Sequence, residues 1–391
     1  MNCKEAFLEK YKTPPEAVAF TPYRICPLGA HIDHQLGCIT GFAIDKGIHI
    51  AYRAKDNGIV EISSVQFDGM AQWHVAETPR TPVGDWADHL RGATIALCDR
   101  YPLRRGFSAV INGELPIGGL SSSAAVIITF LATLSRINGI TLTEQEMIEL
   151  ALIAENKYVG VACGKLDQCC EVYCRKDNLL HMDIKRDSYE LIPRSPAMPP
   201  YKIAIFFSGL ERSLAGSKYN SRVDEAKSAA YSLLSYAGAP RGLLKDTYLT
   251  DVPREVFERY GHLLPEPLFK RANHFFTESE RVERGVEAWR RGDLCEFGSL
   301  IFESGKSSIE QWETGSPELI ELYNIMKETD GILGGRFSGA GFKGCCMAFI
   351  DPEYEESIIK TVRERYTKAF PHLSERFSAH ICDTADGVKL N

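Results

Sequence analysis

The stretch Pro116-Ile-Gly-Gly-Leu-Ser-Ser-Ser-Ala-Ala125 decides how the rest of the chain is read. Its paired glycines let the backbone approach a ligand closely, and its serines stand where an apolar helical run begins and can cap it. A helix N-terminus offers unpaired N–H groups and the positive end of the helix dipole, which suits a phosphate. No GxxxxGK[ST] pattern occurs, so this is not a Walker A loop. Alone, the stretch fits an ordinary glycine-serine turn equally well, and it gains meaning only from partner motifs.

The run that follows, Ala124 to Leu134, is 11 residues long and is interrupted by Thr129 and Thr133. It is too short for a membrane span and reads as a buried helix. Across 391 residues the chain is 44% hydrophobic, enough for two domains or one large unit. A net charge of −7 gives no general attraction to nucleic acid or anionic membrane. An anionic ligand must therefore be held by local donors. With no signal-like N-terminus, the expectation is a soluble, cytoplasmic monomer whose partners are small molecules. The twelve cysteines are dispersed, and the crowded set Cys163, Cys169, Cys170 and Cys174 lacks a CxxC pair. Reduced, mostly buried thiols are expected rather than zinc ligands.

Strand-like alternation marks Gly47–Arg53, Gly58–Ser64 and Gly106–Gly113. Capping boxes at Thr143-Glu-Gln-Glu146 and Thr277-Glu-Ser-Glu280 predict helix starts. A proline-rich passage, Arg194 to Pro200, precedes the strand Tyr201–Phe207. It predicts a boundary between residues 1–198 and 199–391. Further strands are expected near Cys345–Ile350 and Phe377–Ile381.

Three more motifs carry chemistry. Glu155, in Ala154-Glu-Asn156, ends an amphipathic helix, and Asp167 follows twelve positions later. Two such carboxylates can divide labour between Mg²⁺ and a substrate hydroxyl, although a helix-end glutamate and a capping aspartate explain them as well. Gly334 to Gly344 packs five glycines into eleven residues. Its Gly339-Ala-Gly-Phe-Lys-Gly344 matches GxGxxG, but a strand is expected after it rather than a helix, which weakens a dinucleotide reading. Arg24-Ile-Cys-Pro-Leu-Gly-Ala-His-Ile-Asp-His34 gathers an arginine, two histidines and a carboxylate around a turn. Its His-Ile-Asp-His lacks the first histidine of a metallo-hydrolase HxHxDH, because Gly29 stands there.

Taken in chain order, the four motifs resemble the GHMP sugar kinases, in the galactokinase branch. The family's G-R-V-N-L-I-G-E-H-T-D-Y corresponds to Tyr23–His34, and its P-x-x-x-G-L-S-S-S-A to Pro116–Ala124, here one residue shorter. AEN…MDQ corresponds to Ala154–Asn156 and Leu166–Gln168. Gly216–Arg222, Glu303–Ser308, Ser316–Leu319 and Arg336–Cys345 match later segments, so the resemblance runs from Thr21 to Cys346. It implies an α+β, two-domain kinase. The N-terminal half would resemble the ribosomal S5 domain-2 fold, and the C-terminal half a ferredoxin-like domain. By motif position, Gly118, Gly119, Leu120, Ser121, Ser122 and Ser123 would cradle ATP. Ser123 and Glu155 would hold Mg²⁺. Asp167 would take the proton from the anomeric hydroxyl, and Arg24 would stabilise the phosphoryl group. His31, Asp33, Gly164 and Tyr219 would contact the sugar.

The departures concern the substrate. Ala30 stands where galactokinases carry a glutamate near the sugar's 6-hydroxyl. A carboxylate accepts a hydroxyl well but repels a second carboxylate, by about 4 kcal/mol at 4 Å and an effective dielectric of 20. His34 replaces a tyrosine and Lys343 a glycine, and both are expected to offer charge or donors to an acidic sugar. The pattern resembles the galacturonokinases and implies phosphorylation of D-galacturonate at C1. Galactose phosphorylation and a non-catalytic sugar sensor on the same fold are the alternatives.

Overall fold

The computed structural model describes residues 2–161, 163–210 and 216–389, and all the statements below concern these. Two sheets organise the chain. The larger one comprises β1 (Ala17–Ile25), β2 (Cys38–Lys55), β3 (Ile59–Ser64), β4 (Met70–His74), β5 (Gly106–Gly113), β6 (Asn178–Asp183) and β7 (Ser188–Pro193). Its order is β4-β3-β5-β2-β6-β7, with β1 also paired to the long β2. All pairs are antiparallel except β3 with β5. The smaller sheet comprises β8 (Lys202–Phe207), β9 (Ile332–Phe337), β10 (Cys345–Ile350) and β11 (Ser378–Cys382), antiparallel throughout in the order β11-β8-β10-β9. A short β12 (Thr384–Ala385) then returns the chain to β2 of the larger sheet.

The smaller sheet explains two almost unbroken apolar runs. Along β8, Ile203, Ile205 and Phe207 face the large core shared with the N-terminal half, while Ala204 and Phe206 face a second core. In β10, Cys345, Met347 and Phe349 alternate with Cys346, Ala348 and Ile350 in the same way. Successive strand residues point to opposite faces, so a sheet covered on both sides needs apolar residues at every position. The shared core joins the halves, with the Phe42 ring centroid 5.1 Å from that of Trp289 and 5.8 Å from that of Phe349.

The apolar run becomes the helix Ser122–Ile137, and its buried Thr129 and Thr133 bond back to the carbonyls of Ala125 and Thr129. That satisfies each hydroxyl one turn back and lets polar residues sit in a core. The Thr143 capping box forms as expected. The Thr277 box does not. A single helix runs from Glu266 to Arg291, and the Thr277 hydroxyl donates to the Asn273 carbonyl inside it. The helix begins after Pro265, with Pro267 in its first turn, well upstream of the motif. All twelve cysteines are unpaired, and only Cys295 is exposed.

Candidate active site

Four segments meet at a cleft of about 540 Å³ between the halves. The first is β1 with the turn after it. Pro22 lacks an N–H for the ladder, and the register slips between Pro22 and Arg24. Such a bulge re-aims a side chain. Arg24 is 3% exposed and reaches Asp167 Oδ1 through Nε at 2.7 Å and Nη2 at 2.6 Å, while Nη1 donates to the Gly119 carbonyl at 3.1 Å. One guanidinium thus spans the aspartate and the glycine-serine loop. Its burial is outweighed by Asp167, which keeps it firmly charged.

The loop itself departs from the capping expectation. Ser121 sits at the N-cap in a left-handed conformation (φ 58°), and its side chain makes no cap bond. Its hydroxyl is buried without a partner. The first N–H groups of the helix Ser122–Ile137 are therefore not taken by a side-chain cap, the state an anion needs. Gly118 and Gly119 both have positive φ, and a Cβ on Gly119 would lie 2.7 Å from Cys345 Sγ. The third glycine motif presses against them from the facing half, where a Cβ on Gly344 would meet the Gly118 carbonyl carbon at 2.6 Å. This motif joins β9 to β10 as a strand-loop-strand, with no helix after the GxGxxG. The dinucleotide fingerprint is thereby excluded.

Glu155 does not end its helix. The helix Glu144–Leu152 continues as a wider π-helical segment, Ile153–Val159, and this places Glu155 inward. Its Oε1 accepts from Ser123 Oγ at 2.8 Å and its Oε2 from Gln168 Nε2 at 2.8 Å. Burial, then the charge of Asp167, raises its pKa to about 7. Asp167 stands in the first turn of the helix Leu166–Tyr173, and both Arg24 contacts use Oδ1. Its Oδ2 is not engaged by the guanidinium. Asp33 lies against Gly164, where a Cβ would be 2.2 Å from Oδ2, and burial followed by Asp167 raises its pKa to about 6.

Of the expected residues, Arg24, Ala30, His31, Asp33, Gly118, Gly119, Ser121, Ser122, Ser123, Glu155, Gly164, Asp167, Tyr219 and Lys343 all line the cleft. Two do not. Leu120 is a core residue at 1% exposure. His34 packs behind the wall, its ring centroid 6.0 Å from that of Tyr219 and 5.3 Å from that of Trp312, and its Nδ1 pairs with Gln35. Burial, then His274 and Lys227, lowers its pKa to about 3, so the positive charge expected of His34 is absent at neutral pH. Lys343, from the facing half, has no ion-pair partner among the described residues. In the segment Gly216–Arg222, the side chains of Ser217 and Lys218 lie outside the description.

Trp312, which packs against the turn, carried no sequence signal. His31 adopts φ 64° and stacks on Trp312 at 5.4 Å and 7°, with its Nε2 buried and unpartnered. Cys163 donates to Asn156 Oδ1 at 2.9 Å beside Gly164, and burial followed by Glu155 raises its pKa, so it is a thiol.

The model for the GHMP kinases N terminal domain matches residues 88–175, and that for the GHMP kinases C terminal matches 286–368. A galacturonokinase from Arabidopsis thaliana is 38% identical over 397 residues, covering 95% of this chain and 93% of its own. A galactokinase from Roseiflexus is 30% identical, covering 98% and 95% respectively. The crystal structure of Lactococcus lactis galactokinase complexed with galactose superposes with a TM-score of 0.89 at 26% identity, over 99% of this chain and 98% of that one. A mevalonate kinase structure shares the fold at a TM-score of 0.66 and 15% identity. With both halves matched and relatives of this identity along nearly the whole length, the chain is a sugar kinase that belongs to the GHMP kinase family, in its galactokinase branch.

Proposed function

We propose that the chain phosphorylates D-galacturonate at its C1 hydroxyl, using MgATP. The kinase chemistry rests on Arg24, which joins the candidate base Asp167 to the phosphate loop at Gly119. The C1 oxygen attacks the γ-phosphorus, its proton passes to Asp167 Oδ2, and the bond to the bridging oxygen breaks to release ADP. Arg24 fixes the Oδ1 edge of the carboxylate and brings positive charge to the equatorial oxygens, so positioning and charge neutralisation carry the step. Ser123 and Glu155 fit Mg²⁺, because they present a hydroxyl and a carboxylate 2.8 Å apart. Among the described residues no cluster of three metal-ligating side chains exists, which suits an ion held by one carboxylate and substrate phosphates. Bound there, Mg²⁺ supplies further neutralisation of phosphate charge.

The acidic sugar rests on Ala30. It lies in the cleft wall at 6% exposure, in the same turn as His31 and Asp33, and brings no carboxylate there. Lys343 on the opposite wall is an available cation. His34, being neutral, contributes at most a ring nitrogen, and charge recognition falls to Lys343. The galacturonokinase relative points the same way. Division of the chain at 198/199 is retained in this reading, with the cleft between the two parts. The test is ADP release with MgATP against D-galacturonate, D-glucuronate, D-galactose and N-acetylgalactosamine. Preference for galacturonate is expected, whereas preference for galactose keeps the kinase and overturns the acidic-sugar assignment.

A further inference from the structure

The turn that carries Ala30 is held from outside. Gly29 has φ +93°, and a Cβ there would lie 2.7 Å from Ile39 Cα. Two positions on, His31 adopts φ 64°, a conformation that L residues disfavour. Such a backbone persists when its surroundings over-determine it. The surroundings here are two side chains one turn apart on the helix Glu266–Arg291, which place both groups on one face. Glu278 Oε1 accepts the Gly29 N–H at 2.8 Å, and His274 Nε2 lies 3.0 Å from the Ala30 carbonyl oxygen. A carbonyl only accepts, so His274 carries its proton on Nε2, and Nδ1 accepts from Ser307 Oγ at 2.8 Å. Burial lowers the His274 pKa to about 4, so this neutral tautomer holds at ordinary pH.

We propose that His274 and Glu278 are positioning residues for the sugar. By gripping the backbone of Gly29 and Ala30 they aim the His31 ring and the Asp33 carboxylate into the cleft. Glu278 also ties this turn to the nucleotide side. It accepts Ser304 Oγ at 2.6 Å and Arg281 Nε at 2.8 Å, and lies 3.6 Å from Arg336 Nη1. Arg336 stands in β9, whose end opens into the glycine loop packed on Gly118 and Gly119. One buried carboxylate thus supports the sugar turn and the strand behind the phosphate loop. The proposal rests on the turn being the sugar site, though not on which sugar binds.

The test is steady-state kinetics with MgATP and whichever sugar the wild type uses best. His274→Phe keeps a ring against Trp312 and removes the bond to Ala30. The KM for sugar should rise about tenfold while that for MgATP stays within twofold. His274→Gln, whose amide nitrogen reaches the Nε2 position, should recover most of the loss. Ser307→Ala, a milder change that frees the tautomer, should raise the sugar KM two- to fivefold and serves if the phenylalanine variant does not fold. An unchanged sugar KM, an equal rise in both KM values, or glutamine no better than phenylalanine overturns the proposal. A wild type that phosphorylates no sugar overturns the site reading itself, and the clamp with it.

Discussion

Replacing Ala30 by glutamate restores the residue of the galactokinase motif and tests the charge argument directly. The new carboxylate would enter a wall only 6% exposed, where solvent screens little. Arg24 is already engaged by Asp167 and Arg336 lies beside Glu278, His34 is neutral, and Lys343 would have to be shared with the substrate carboxylate. A substrate carboxylate about 4 Å away would be repelled by about 4 kcal/mol at an effective dielectric of 20, or roughly a thousandfold in affinity. Ala30→Glu should therefore lower kcat/KM for galacturonate by two to three orders of magnitude at pH 8, and leave galactose use unchanged or improved. Because a buried glutamate resists ionisation, the loss should shrink at pH 6. The assay is coupled ADP release on both sugars at both pH values, with circular dichroism to confirm folding. Undiminished galacturonate turnover in a folded variant would refute the reasoning. An equal loss on both sugars would trace the effect to bulk rather than charge.

Removing the proposed proton acceptor, Asp167→Asn, should lower kcat by about 10²–10⁴ while both substrates still bind, as judged by calorimetry. Gly119→Ala places a methyl 2.7 Å from Cys345 Sγ at a positive φ, so the KM for MgATP should rise tenfold or more with the sugar KM little changed. Glu155 sets a pH dependence. Its folded pKa, about 7 against an ordinary 4.5, means the folded protein keeps a proton that the unfolded chain releases between those values. Stability without metal should therefore fall as pH rises from about 4.5 to 7, by roughly 3 kcal/mol from this group. Asp33 acts in the same direction up to about pH 6. Urea denaturation from pH 5 to 8 should show a shallower slope for Glu155→Gln, and equal slopes would remove the assignment. Glu278→Ala strands Arg281 and Arg336 in the core, so a loss of about 3–5 kcal/mol is expected in the same assay.

Local patterns were legible where local physics decides. Alternating apolar residues marked β3 and β5, the Thr143 box capped its helix, and the glycines of Gly118–Gly119 announced a close backbone approach. The order of spaced motifs also named the residues that line the cleft, because each motif carries its chemistry within a few positions. The Thr277 box failed because a capping box is a short pattern, and burial of Ala272, Phe275, Val282 and Val286 on one face keeps a long helix continuous through it. His34 read as a possible cation because its sequence says nothing of solvent, and burial behind Tyr219 removed the charge. Sequence alone thus determined the family, the close-packed glycine-serine loop and the absence of a carboxylate at Ala30. Only the tertiary structure decided that the Ala30 turn is gripped by His274 and Glu278, more than two hundred residues away. It also decided that one arginine joins Asp167 to Gly119. Hydrogen bonds and burial act through distance in space, which chain order does not encode.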